Sequence, residues 1–147
     1  MKKIVFILAA LLATITLSAQ NKGLGVGIII GEPTGLSAKL WTSSNTAIDA
    51  AAAWSFREAG YLHLHADFLM HSFAIDVPEG ELPLYFGLGA RVLVGTDAAI
   101  GIRVPLGIAY HFSDVPIEIF MEIAPIMNLL PATEFDMNGA IGVRYYF

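Results

Sequence analysis

The sequence predicts an all-β fold, an eight-stranded antiparallel up-and-down transmembrane β-barrel. Three observations carry that reading: a positive mean hydropathy without a long apolar helix, strict alternation of apolar with small or polar residues, and turn-like connections. Successive strand residues point to opposite faces, so alternation marks a two-faced strand. The clearest case is Ile100 to Phe112. Its even positions are Ile100, Ile102, Val104, Leu106, Ile108, Tyr110 and Phe112; its odd ones are Gly101, Arg103, Pro105, Gly107, Ala109 and His111.

Taken in chain order, the N-terminus comes first. Lys2 and Lys3, an uncharged apolar stretch from Ile4 to Leu17 and the small residues Ser18-Ala19 make residues 1–19 a secretory signal peptide. Cleavage after Ala19 leaves a barrel domain of residues 20–147. The longest later run free of Asp, Glu, Lys and Arg is Ile123 to Thr133, 11 residues, whereas a spanning helix needs ~20. Eight alternating segments follow: Leu24–Ile30, Leu36–Leu40, Ile48–Trp54, Leu62–Met70, Leu84–Val94, Ile100–Phe112, Ile117–Ile123 and Ile141–Phe147. Glu32-Pro33-Thr34-Gly35 suits a type I turn. Ala74 to Leu82 and Ala124 to Ala140 read as the longer loops. Pro105 lies inside the clearest strand and cannot donate to a ladder, so a bulge or break is expected there.

Over all eight segments the large apolar face carries no charge. The other face carries Lys39, Asp49, Asp67, Arg91, Arg103, Glu118, Glu122 and Arg144, four basic and four acidic. A narrow barrel interior requires small residues and compensated charge, and a lipid-facing wall requires uncharged bulk. The apolar face is therefore assigned outward. With the N-terminus periplasmic, the periplasmic strand ends collect Trp41, Phe73, Phe86, Tyr110, Phe112, Tyr145 and Phe147, an aromatic girdle. No cysteine excludes disulfides and thiolate chemistry, and a net charge of −5 disfavours nucleic acid as a partner.

The last strand, Gly142-Val143-Arg144-Tyr145-Tyr146-Phe147, resembles the C-terminal signal of bacterial outer-membrane proteins, with Gly142, Tyr145 and Phe147 matching it and Ala140 standing where a polar residue is usual. The chain is similar in size and strand count to the small OmpX-like barrels and the OmpA membrane domain. It is closer still to an uncharacterised family of small exported barrels through Gly31 to Gly35, Arg103 to Gly107 and the Gly-Val-Arg-Tyr-Tyr-Phe end. The resemblance implies a Gram-negative outer-membrane location, contact with outer-membrane lipids, recognition by the barrel-assembly machinery, and a fold without an assigned activity.

Candidate chemistry lies on the polar face. His63, His65 and Asp67 share one face of a strand at ~6.8 Å steps and offer donors for a divalent metal; the competing reading is a hydrogen-bonded filling of the barrel with His71 and His111. The eight charged residues can line a narrow ion or small-solute path or form a compensated plug, and eight strands leave room only for side chains. Ser37 with a histidine and Asp49 could be drawn as a hydrolytic or lipid-modifying triad, but no nucleophile motif accompanies it. The preferred expectation is a plugged, non-enzymatic, monomeric barrel with a structural or surface-interaction role, no cofactor and no catalytic residue. Its interior polar network would be Lys39, Asp49, His63, His65, Asp67, Arg91, Arg103, Glu118, Glu122 and Arg144. Acidic loop residues, Glu134 and Asp136 among them, are read as solubilising, and Ala124 to Ala140 as the first place to look for a surface partner.

Overall fold

A computed structural model of the chain describes residues 23–54, 61–78, 80–95, 98–130 and 132–147. The expected signal peptide, residues 1–19, lies outside the described residues. Nine antiparallel strands are present among them: β1 (Leu24–Glu32), β2 (Thr34–Trp41), β3 (Thr46–Trp54), β4 (Leu62–Val77), β5 (Gly80–Val94), β6 (Ala99–Arg103), β7 (Leu106–Phe112), β8 (Ile117–Leu130) and β9 (Glu134–Tyr146). Apart from β6 and β7, which do not pair with each other, sequence neighbours pair, and β9 returns to β1 through pairs from Gly25↔Tyr146 to Glu32↔Gly139. The sheet is thus closed. β6 and β7 each pair with both β5 and β8, so they are two halves of one wall strand and the wall has eight. No helix of the described residues is long and apolar enough to cross a membrane.

The break between β6 and β7 falls at Val104-Pro105, where the sequence places a proline. Gly87 N donates to Pro105 O and Val104 N donates to Pro125 O, both at 3.0 Å. In an antiparallel pair the partner returns a second bond. Neither proline has an N–H to return, so two adjacent rungs are halved near mid-height. The break inserts no residue. Arg103, Pro105, Gly107 and Ala109 keep their inward phase, and Val104 and Leu106 stay exposed.

Three expectations change. Ala74 to Leu82 and Ala124 to Ala140 are chiefly hairpin extensions and not loops: Ala74↔Pro83 through Val77↔Gly80 and Ala124↔Asn138 through Asn128↔Glu134 continue the ladders. The β1–β2 connection is not the type I turn. It runs Gly31 to Thr34 with a cis Glu32–Pro33 bond, and Gly35 lies already within β2. Trp41 does not join the girdle. Its ring sits 4.4 Å from His71 and 5.8 Å from His111, inside the barrel mouth, because odd positions of β2 face inward.

Alternation sorts the side chains. Ile28, Leu36, Leu88, Ile102, Met121 and Ile141 are among many large apolar residues exposed on the outer face. The charged face is buried. Small inward residues make room for it: Ala47, Ala51 and Ala53 on β3 are almost fully buried. At the β1–β9 seam, a Cβ on Gly27 would lie 1.7 Å from Val143 O, so only glycine permits that approach. Gly27→Ala is therefore expected to destabilise the closed barrel by about 1–3 kcal/mol, the usual cost of overpacking. Urea unfolding in lipid vesicles measures it, and unchanged stability would contradict the close seam.

Candidate functional site

The ten titratable side chains expected in the lumen all come from inward-phase positions: Lys39 (β2), Asp49 (β3), His63, His65 and Asp67 (β4), Arg91 (β5), Arg103 (β6), Glu118 and Glu122 (β8) and Arg144 (β9). Nine are buried, and the His65 side chain is 6% exposed. They fall into three connected clusters along the barrel axis.

The cluster nearest the chain's C-terminal end is organised by Glu118, whose exposure is 0%. Lys39 Nζ (3.1 Å) and Tyr146 OH (3.0 Å) donate to its Oε2, and His111 Nε2 lies 2.5 Å from that same oxygen. Arg144 Nη1 donates to its Oε1 at 2.7 Å. Arg144 also donates through Nε to Ser37 Oγ and through Nη2 to Asp49 Oδ2, while its guanidinium stacks 3.9 Å above the Phe120 ring. Lys39 is 2.9 Å from His71 Nε2 and lies over the Trp41 ring. Lysine has donors only, so His71 Nε2 accepts.

In the middle, Arg103 bridges two strands. Its Nη2 donates to Glu122 Oε1 at 2.6 Å and its Nε forms an ion pair with Asp67 Oδ1 at 2.9 Å. Tyr85 OH donates to the other Glu122 oxygen at 2.8 Å. Arg103 Nη1 and His63 Nε2 both lie against His65 Nδ1, at 3.1 and 2.9 Å. At the far end Arg91 donates to Asp136 Oδ2 (2.9 Å) and to Asn128 Oδ1 (2.7 Å).

This arrangement differs from the residue-type expectation at His63 and bears on the disfavoured triad at Ser37. The imidazoles of His63 and His65 meet each other edge to face, so His63 does not join His65 and Asp67 around one point. The donors that do converge are on Asp49, His65 and Asp67, within 4.8 Å of one another. Ser37 Oγ accepts from Arg144 Nε, which is a bond to a cation and not the contact of a nucleophile with a base.

Sequence reasoning missed Asp136, Tyr85, Tyr146 and Asn128. Tyr85 shares the phase of Arg91 on β5, and Tyr146 and Asp136 that of Arg144 on β9, so phase alone could have found them once the strand limits were known. Free space inside is small. A cavity of about 20 Å³ lies among Ser37, Asp49, His65, Arg103, Glu122 and Arg144, room for about one water. Of the terminal residues, Gly142 faces inward, where a Cβ would lie 2.2 Å from the Phe120 ring. Tyr145 and Phe147 face outward with their rings 5.2 Å apart.

Fold and interior together define the class: a closed eight-stranded antiparallel barrel, apolar outside, its lumen filled by paired charges. Among solved structures the chain is similar to the N-terminal β-barrel domain of Pseudomonas aeruginosa OprF, with a TM-score of 0.62 over 86% of this chain and 98% of that one, at 11% identity. The likeness is one of fold. No family model and no curated protein matches the sequence.

Removing Glu118 would leave Lys39 without its carboxylate and Arg144 with Asp49 alone. Glu118→Ala is expected to cost about 3–5 kcal/mol, because a buried charge that loses its partner keeps its desolvation penalty. Denaturant unfolding reads this directly; a loss below that of an exposed control such as Glu134→Ala would contradict the hub.

Proposed function

We propose that this protein is an integral outer-membrane β-barrel with a plugged polar interior and a structural, non-enzymatic role. One observation carries the proposal: a continuous outer belt of exposed apolar side chains surrounds a lumen crossed by ion pairs, with a cavity of about 20 Å³ among them and a wider one of about 280 Å³ at the mouth lined by Trp41, His111 and Tyr146. A soluble barrel buries its bulk and wets its charges. Here the order is reversed, as hydrocarbon demands of a lipid-facing wall. Closure supports the same reading, since backbone groups facing lipid have no water to bond. The proposed location follows from this belt and from the leader-like residues 1–19. Outer-membrane lipids are the proposed surroundings, the Gly142, Tyr145 and Phe147 strand the segment read by the barrel-assembly machinery, and the monomer the working unit.

The interior argues for a plug over a pore. Ions crossing the lumen would have to displace Arg103 from Glu122 and Arg144 from Glu118, pairs at 2.6 and 2.7 Å. Purified barrel in a planar bilayer is accordingly expected to show no defined conductance steps; stable single-channel openings would replace the plug by a pore. Ile102→Arg or Ile119→Arg on the outer belt is expected to impair insertion by ~2–4 kcal/mol near the midplane. Membrane yield together with heat-modifiable gel migration measures it, and unaltered yield of both variants would overturn the facing.

A further inference from the structure

Asp49 on β3 and Asp67 on β4 stand directly opposite in the ladder, and His65 shares their inward face. Each carboxylate is held by an arginine through one oxygen: Arg144 Nη2 reaches Asp49 Oδ2 at 3.2 Å and Arg103 Nε reaches Asp67 Oδ1 at 2.9 Å. Asp49 Oδ1 and both Asp67 oxygens are buried in residues 2% exposed and have no hydrogen-bond partner, the Arg103 Nε contact to Asp67 Oδ1 being an ion pair without hydrogen-bond geometry. Buried polar atoms are seldom left so. His65 Nε2 lies 3.8 Å from Asp67 Oδ2, and the small cavity is lined by both Asp49 and His65.

The charge count points the same way. Asp136 enters the lumen and takes Arg91. Below that pair, with histidines neutral, three cations (Lys39, Arg103, Arg144) face four carboxylates (Asp49, Asp67, Glu118, Glu122). With all four carboxylates ionised, one negative charge lacks a cation, and the unbonded oxygens lie on Asp49 and Asp67.

We propose that Asp49, His65 and Asp67 form a site for one divalent transition-metal ion inside the barrel. One imidazole with two carboxylates suits Zn²⁺, Mn²⁺ or Fe²⁺ rather than the all-oxygen preference of Ca²⁺ and Mg²⁺. Metal–ligand bonds of ~2.0–2.2 Å place tetrahedral donors ~3.4 Å apart, so donors now within 4.8 Å of one another draw together by up to about 1.4 Å. Arg103 and Arg144 stay on the outer carboxylate oxygens and orient the ligands, as outer-shell partners do. When His65 Nε2 binds the ion, its Nδ1 carries the proton and donates to His63 Nε2. Arg103 Nη1, now facing a donor, moves off His65 and keeps its bonds to Glu122 and Asp67. The His63–His65 contact, which can run in either direction, is what allows that exchange.

The test uses untagged chain folded in detergent micelles, its closure checked by heat-modifiable migration, and titrated with Co²⁺ as a spectroscopic probe. The expected result is one Co²⁺ per barrel with visible d–d bands, displaced by Zn²⁺. Asp49→Asn and Asp67→Asn should each weaken binding by at least about tenfold, while Glu134→Gln, on the exposed hairpin, should leave it unchanged. A closed wild-type barrel that takes up neither metal at millimolar concentration overturns the proposal, as does undiminished affinity in both Asn variants. If a variant does not close, the wild-type titration alone decides. A negative result leaves the absence of conductance untouched, so failure of the metal site and failure of the plug are separable.

Discussion

A backbone N–H or C=O that faces hydrocarbon has no water to turn to, and a sheet in that setting must have no edge. In the proposed membrane setting that constraint is met by the β1–β9 seam, from Gly25↔Tyr146 to Glu32↔Gly139. Everything else follows from closing eight strands. An eight-stranded ring leaves an interior about wide enough for side chains, and these fill most of it here. Alternation then sends every second residue of each strand into that space. The same period that coats the outside with Ile, Leu and Val drives lysine, arginine, aspartate and glutamate inward.

Filling such a space with ions is tolerable only if each ion meets its opposite. Outside the Asp49–Asp67 pair, whose oxygens are partly unbonded, the barrel achieves this by sharing. Glu118 is met by Lys39, Arg144, His111 and Tyr146; Arg103 serves both Glu122 and Asp67. Because these contacts join β2, β4, β6, β8 and β9, the network also ties opposite walls together across the lumen. The wall is weakest at Val104-Pro105 and Pro125, where two rungs lack a donor, and Arg103, the adjacent inward residue, bridges to β4 and β8 there.

Much of the fold was legible because period-two patterning survives wherever the inward residue is small or charged. Ile100 to Phe112 shows it throughout, and Pro105 announced its own interruption. The pattern faded at an apolar inward residue. Leu69, Leu93 and Phe120 are buried in the lumen without obscuring their strands, but Ile126, buried beside Pro125, gives the appearance of a loop across what is a long hairpin. The chemistry of the interior was legible in kind and not in partnership. Residue types placed charges on one face, but pairing depends on strand stagger, which a single strand does not encode. That is why Asp136 looked like a loop acid, and why His63 looked like a companion of Asp67 when Asp49, across the ladder, holds that place. Trp41 was misplaced for the simpler reason that position along a strand was weighed before phase.

The account turns on which face meets lipid. The chain has no cysteine, so single cysteines at Ile102, Met121 and Ile141 can each carry a nitroxide in the membrane-reconstituted barrel without background labelling. Collision with dissolved oxygen should be frequent at all three and collision with a water-soluble paramagnetic nickel complex rare, as for groups among acyl chains. Free access of the nickel complex to these positions, in barrel shown to be closed, would contradict the outward assignment of the apolar face.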